Sequence, residues 1–222
     1  MPSPCELCAA IDLTTHACAL QDHLHAGQPR RVGDNEHAAA IPTIGAFVPG
    51  YLLIVPTDHA TSLGQLTHEA RQGVAALTEQ MADRLHAIYS GPVLGFEYGL
   101  NTPGGRRIEH GHLHLLPSAV GAALRQWLAW RLPHYEVASL AHLPTSSAHS
   151  YISVWEPSRP VGVYPVANDA SPRIRLREVI ASLDPRLRGR SWDWQTDPCT
   201  DLIRRTVDDL APTAATTSGG PR

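Results

Sequence analysis

The sequence predicts an α+β fold: an antiparallel sheet of about five strands with one long helix packed on it. Two observations carry that expectation. Short β-rich apolar segments bounded by Gly and Pro recur at Tyr51–Pro56, Val93–Gly99 and His110–Pro117, and each reads as a strand. Between the first two, residues 66–89 carry one apolar stripe, Val74, Leu77, Met81, Leu85 and Ile88, at spacings of three and four, which reads as an amphipathic helix. A third observation points to a functional face: His110, His112 and His114 alternate with Gly111, Leu113 and Leu115. Side chains alternate across a strand, so the imidazoles share one face, about 6–7 Å from one to the next. The other face enters a core. A solvent-facing strand also tolerates polar residues, but three evenly spaced histidines call for a further reason.

Composition bounds the function. The chain has 222 residues, 43% of them hydrophobic, and a formal net charge of −3. That balance offers no electrostatic footprint for a nucleic-acid polymer. No apolar run approaches the ~20 residues of a membrane span. The opening Met-Pro-Ser-Pro-Cys-Glu-Leu-Cys lacks the basic and apolar regions of a signal peptide, and four cysteines in this length are not a disulfide scaffold, so a cytoplasmic protein is expected.

In chain order, Cys5-Glu-Leu-Cys8 reads as a redox pair or half a zinc site. Residues 12–28, with His16, Cys18, His23 and His25, read as a loop with helical character and no function. Residues 30–41 read as two short strands about a turn at Gly33-Asp34-Asn35. Strand Tyr51–Pro56 leads to His59. Thr67 is the expected N-cap of the long helix, and Ser90-Gly91-Pro92 ends it. After strand Val93–Gly99, the segment Asn101-Thr-Pro-Gly-Gly-Arg-Arg107 is a turn-rich loop. Its glycines suit backbone contacts to an anion, and Arg106 and Arg107 bring guanidinium forks beside the histidines. Two solvated loop arginines are the plainer alternative.

Residues 118–148 form a helix, Gly121 to Leu132, and a linker. A C-terminal extension over 149–210 follows: strands at Ser150–Trp155 and Gly162–Ala167, a helix from Ile174 to Leu183, Trp192-Asp-Trp194, and a helix from Cys199 to Leu210. Arg173, Arg175 and Arg177 gather at the start of the first of these helices, where Arg173 reaches a phosphate or simply faces solvent. Residues 211–222 have no packing pattern and are expected to be disordered.

The run His110-x-His112-x-His114 followed by two apolar residues resembles the histidine triad (HIT) signature. Cys5-x-x-Cys8 and Pro49-Gly-Tyr-Leu-Leu-Ile-Val-Pro-x-x-His59 resemble further HIT segments, and the order of elements after Pro117 is similar to a longer-chain bacterial HIT-like branch. The resemblance is strong over 5–117 and weaker over 149–210. It places the HIT-like domain at residues 1–117, with the extension capping the site. It implies a nucleotide hydrolase or phosphoramidase acting at the α-phosphate of a small nucleotide or nucleotide conjugate. His112 would attack phosphorus, His114 would hold a phosphoryl oxygen, and His110 would orient the nucleophile. Substrate contacts would come from Asn101, Gly105, Arg106, Arg107 and Arg173. It also implies one structural Zn2+ per chain on Cys5, Cys8, His59 and His110, a closed set of two thiolates and two imidazoles. Compact members are commonly dimers, so a homodimer is an expected assembly that the extension either preserves or replaces.

Two positions depart from the pattern. Arg107 stands where a small polar residue is common, and Thr43 falls near the usual acidic ribose-binding position. Three rival readings stay open at this point. A nucleotidyl transferase would use the same intermediate. A metallohydrolase would hold a catalytic ion on all three histidines. A non-catalytic zinc-stapled module would only bind.

Overall fold

The computed structural model describes residues 5–14, 18–100, 109–145, 150–167, 174–187 and 193–211. Asn101, Gly105, Arg106, Arg107, Arg173, His16 and the 212–222 part of the tail lie outside the described residues.

Among those residues, the chain folds around one antiparallel sheet. Its strands are β1 (Gly33–Asp34), β2 (Ala38–Pro42), β3 (Leu52–Pro56), β4 (Val93–Gly99), β5 (Leu113–Pro117), β6 (Tyr135–Val137), β7 (Ser150–Trp155) and β8 (Val161–Val166). The spatial order is β1-β2-β3-β5-β4-β7-β8-β6. The first five are the expected sheet. The correction is in strand number, eight among the described residues and not about five, because the extension joins the sheet: β7 pairs along β4 from Gly95–Trp155 to Gly99–Tyr151, and β8 and β6 follow. An unpaired β4 edge would leave a row of backbone N–H and C=O groups without partners, and β7 satisfies them.

The helices are α1 (Glu6–Ile11), α2 (His68–Tyr89), α3 (Gly121–Ala129), α4 (Leu176–Leu183) and α5 (Thr200–Leu210). Helix α2 starts where Thr67 caps the Ala70 N–H and ends at Ser90, which takes the left-handed conformation with φ 52°. Its stripe buries Val74, Leu77, Met81 and Leu85 on the sheet, but Ile88 is exposed, while Tyr89 in the same last turn packs against the core. Helix α2 packs against β2, β3 and β5. On the other sheet face a second core gathers Phe47, Tyr51, Phe96, Ile152, Leu124, Leu128 and Ile180, which brings α3 and α4 onto the face that carries His114.

Two local expectations shift. The turn between β1 and β2 is Asn35-Glu36-His37, where Asn35 Oδ1 accepts from the N–H groups of His37 and Ala38. The triad strand begins at Leu113, not His110. Gly111 N–H donates to Ala60 O at 2.6 Å, outside the β3 and β4 ladders. A Cβ on Gly111 would stand 2.6 Å from Ser62 Cα, so the chain passes the 60–62 segment with no room for a side chain.

Candidate functional site: a Cys2His2 cluster joined to an open histidine pair

Helix α1 places two thiols at the end of the sheet. Cys5 is its N-cap, and Cys8 lies in its first turn. His59 follows β3, and His110 lies just before β5. The four ligand atoms, two Sγ and two Nδ1, lie within 4.8 Å of one another. Cys5 Sγ is 3.5 Å from His110 Nδ1, and Cys8 Sγ is 3.3 Å from His59 Nδ1 and 3.4 Å from His110 Nδ1. Tetrahedral zinc, with sulfur at about 2.3 Å and nitrogen at about 2.0–2.1 Å, has sulfur–nitrogen edges of roughly 3.5–3.6 Å. These three sulfur–nitrogen edges match such an ion.

His110 is oriented for that role. Its Nε2–H donates to Pro56 O at 3.1 Å, which leaves the Nδ1 lone pair facing the thiols. Burial, with His59 beside it, pushes its pKa down to about 4, so the ring is neutral, as a ligand must be. Burial and the neighbouring Cys5 push the Cys8 thiol up to about 11, a penalty that a bound cation reverses.

His112 and His114 have different surroundings. His112 Nδ1–H donates to the His110 carbonyl at 2.6 Å. That bond fixes the tautomer and leaves Nε2 with a lone pair. His114 lies in β5 opposite Leu53 and Phe96, stacked on the Phe96 ring at 4.5 Å. Burial pushes the Tyr51 hydroxyl up to about 12, and this hydroxyl lies 3.0 Å from His114 Nδ1, the ring nitrogen to which we assign the acceptor role. His114 Nε2 is then the N–H. Burial lowers the pKa of both rings, and the Arg177 charge lowers them further.

Two cavities open onto this pair. One, of about 230 Å³, is largely apolar and takes Leu7, Ile41, Thr43 and Leu53 into its wall. The other, of about 420 Å³, takes in His110, Tyr98, Arg175 and Gln195. His112, His114, Arg177 and Trp194 line both. Thr43 thus belongs to the apolar cavity, and the C-terminal region reaches the histidines. That approach is close: a Cβ on Gly45, which has φ +73°, would be 2.3 Å from Trp194 Cβ, and Gly45 N–H donates to Pro198 O at 2.7 Å.

A buried carboxylate supports the triad from beneath. Glu97 of β4 is 1% exposed and accepts from Leu63 N–H at 2.7 Å and from the Tyr151 hydroxyl at 2.8 Å. Burial raises its pKa to about 7. The network holds the 62–64 turn, whose Ser62 packs against Gly111.

Of the predicted site residues, the structure brings Cys5, Cys8, His59 and His110 into one cluster and sets His112 and His114 beside it. Sequence reasoning missed Tyr51, Glu97, Arg177 and Trp194 as members of the site. Arg177 left the clearest signal, as one of three clustered arginines; helix α4 starts at Leu176, so Arg175 is its N-cap and Arg177 lies in its first turn.

The Cys2His2 cluster thus shares His110 with a run whose other two histidines, His112 and His114, face cavities at one end of an antiparallel sheet. Residues 27–120 match the HIT domain, so that part of the chain is similar to the HIT family. The chain is 28% identical over 87 residues to a 16.1 kDa HIT-like protein of Mycoplasma pneumoniae, a match covering 39% of this chain and 60% of that protein. It is 27% identical over 105 residues to a HIT-like protein of Mycoplasma genitalium, covering 47% of this chain and 74% of that one. The crystal structure of a HIT family protein from Bacillus anthracis aligns at 25% identity and a TM-score of 0.39, over 53% of this chain and 74% of that one. No helix among the described residues is long and apolar enough to cross a membrane.

Proposed function

We propose that the protein is a HIT-type nucleotide hydrolase or phosphoramidase that works through a nucleotidyl-His112 intermediate. The observation that carries this reading is the 2.6 Å bond from His112 Nδ1–H to the His110 carbonyl, which frees Nε2 on a ring facing both cavities. An imidazole held neutral by burial is a competent nucleophile. Nε2 attacks the α-phosphorus of a small nucleotide or nucleotide conjugate. The nitrogen–phosphorus bond forms, the bond to the leaving group breaks, and the leaving group departs with its electron pair and takes up a proton. Water then attacks phosphorus, its proton is released, and the electron pair returns to Nε2. His114 Nε2–H, fixed by Tyr51, donates to a phosphoryl oxygen as charge develops.

Zn2+ on Cys5, Cys8, His59 and His110 fits as a structural staple. Those four residues would hold it with no open position, so it would contribute folding energy and no chemistry. The same geometry disfavours a catalytic metal on the triad. Among the described residues only the Cys2His2 set brings three or more potential ligand atoms together, and His110 Nδ1 and His112 Nδ1 are already engaged elsewhere. The loop residues Asn101, Gly105, Arg106 and Arg107, together with Arg173, are proposed to add phosphate contacts. The proposed organisation is a HIT-like domain at 1–117, a helix and linker at 118–148 and the extension at 149–210, with a cytoplasmic location and a homodimer as the assembly to test.

The test is stereochemical. A substrate chiral at the α-phosphorus should be hydrolysed with net retention, because two in-line displacements cancel. Inversion would mean direct attack by water and would rule out the intermediate.

A further inference from the structure

Helix α4 carries a permanent cation into the site. Arg177 is tied to the 44–45 turn: its guanidinium donates to Ile44 O at 3.4 Å and to Gly45 O. It also lies over the Phe47 and Tyr51 rings, 5.6 and 5.5 Å from their centroids. These contacts hold a long side chain in one place, so little ordering cost remains when a ligand arrives. The place is the junction of the two cavities. Four residues line both, and Arg177 is the one that carries a fixed charge. The arginine is not fully satisfied there either: its Nε is buried and has no partner among the described residues. Its two bonds go to neutral carbonyls, which are weaker acceptors than an anion.

The cavities differ in a way that orients a substrate. The apolar one suits a nucleoside, and the other, with Arg175, Asp193 and Gln195, suits a polar group. A molecule spanning both would carry its connecting group past the shared wall of His112, His114 and Arg177. We infer that Arg177 is a substrate-binding residue of the C-terminal extension, which takes the phosphoryl group standing before His112. This deepens the proposed function and rests on it for the identity of the ligand as a nucleotide.

The experiment compares wild type, Arg177→Met and Arg177→Lys as full-length, metal-replete protein. Each is titrated calorimetrically with a panel of nucleoside 5′-monophosphates and with the matching nucleosides. Arg177→Met should weaken monophosphate binding roughly 10- to 100-fold, as loss of a charge-assisted contact does. Nucleoside binding should change less than about twofold, within the scatter of a small packing change. Arg177→Lys should recover part of the loss, because an ammonium keeps the charge without the planar fork. Unchanged monophosphate affinity in the methionine variant would overturn the inference. So would an equal loss for nucleoside and monophosphate, which would make Arg177 a packing residue, and so would a wild type that binds no monophosphate. Binding and stereochemistry fail separately: inversion at phosphorus alongside an Arg177-dependent monophosphate affinity would remove the His112 intermediate and leave this assignment standing.

Discussion

His110 and His112 are two residues apart and have opposite environments. His110 is 2% exposed, donates through Nε2 to Pro56 O, and turns Nδ1 to two thiols. His112 donates through Nδ1 to the His110 carbonyl and leaves Nε2 on a ring that lines two cavities. The same side chain suits a metal ligand or a nucleophile according to which nitrogen the backbone engages and what faces the other. The comparison teaches that the motif is not three equivalent imidazoles. One end is closed among two thiols and a second imidazole, and the other opens onto two cavities.

The sharpest way to break this division is at the closed end. Cys8→Ser should abolish metal binding, and with it stability on the order of 10 kcal/mol of metal-linked folding energy. Elemental analysis of the purified wild type should find one zinc per chain, and thermal melts should fall steeply in the variant. A metal-free wild type as stable as the metal-replete protein would sink the closed-end assignment.

At the open end the loss should be catalytic. His112→Ala should reduce kcat by several orders of magnitude, as removal of a nucleophile does. Zinc content and melting temperature should stay near wild type, because His112 is not in the cluster. Substantial turnover in this variant, measured on any substrate of the wild type, would refute the assignment.

Glu97 sharpens the comparison, because it supports the turn between the two ends. Its folded pKa, about 7, stands above the ordinary carboxylate value of 4.5. Between those values the folded state binds the proton that the unfolded state has released. The stability that this group contributes is therefore full below about pH 4.5 and is lost as pH rises through about 7. Relative to Glu97→Gln, wild type should lose up to about 3 kcal/mol across that window. Parallel denaturation series at pH 5 and pH 8 measure the difference, and a pH-independent gap would show that the carboxyl titrates normally.

The smallest expected effect is at His114. Tyr51→Phe removes the hydroxyl that fixes its tautomer, and kcat/KM should fall by roughly tenfold, about 1–2 kcal/mol. Steady-state kinetics at fixed pH check this, and an unchanged value would leave Tyr51 as a packing residue.

Legibility in the sequence follows the range of the interactions. Helix α2 is readable because its stripe and its Thr67 cap are local. Strands β2 to β5 are readable as short apolar runs, but β1 is the pair Gly33-Asp34, which reads as a turn, and β6 is three residues long with Tyr135 and Glu136 exposed, so nothing marks either as a sheet edge. The Cys5, Cys8, His59 and His110 set is legible only through family resemblance, since up to 105 residues separate its members and no spacing implies that they converge. Tyr51 and Glu97 read as ordinary strand residues because their roles depend on registers between strands distant in the chain. Arg177 and Trp194 are legible as a basic helix start and a Trp-Asp-Trp motif, but not as cavity walls, which depends on how α4 docks beside Gly45.

The most direct test of the divided triad is to trap the intermediate. A reaction on substrate radiolabelled at the α-phosphate is quenched during turnover, and the acid-labile label is mapped by peptide mass spectrometry under alkaline conditions. The label should sit on His112 alone, in protein that still carries its zinc. Label on His110, His114 or any other residue would contradict the account.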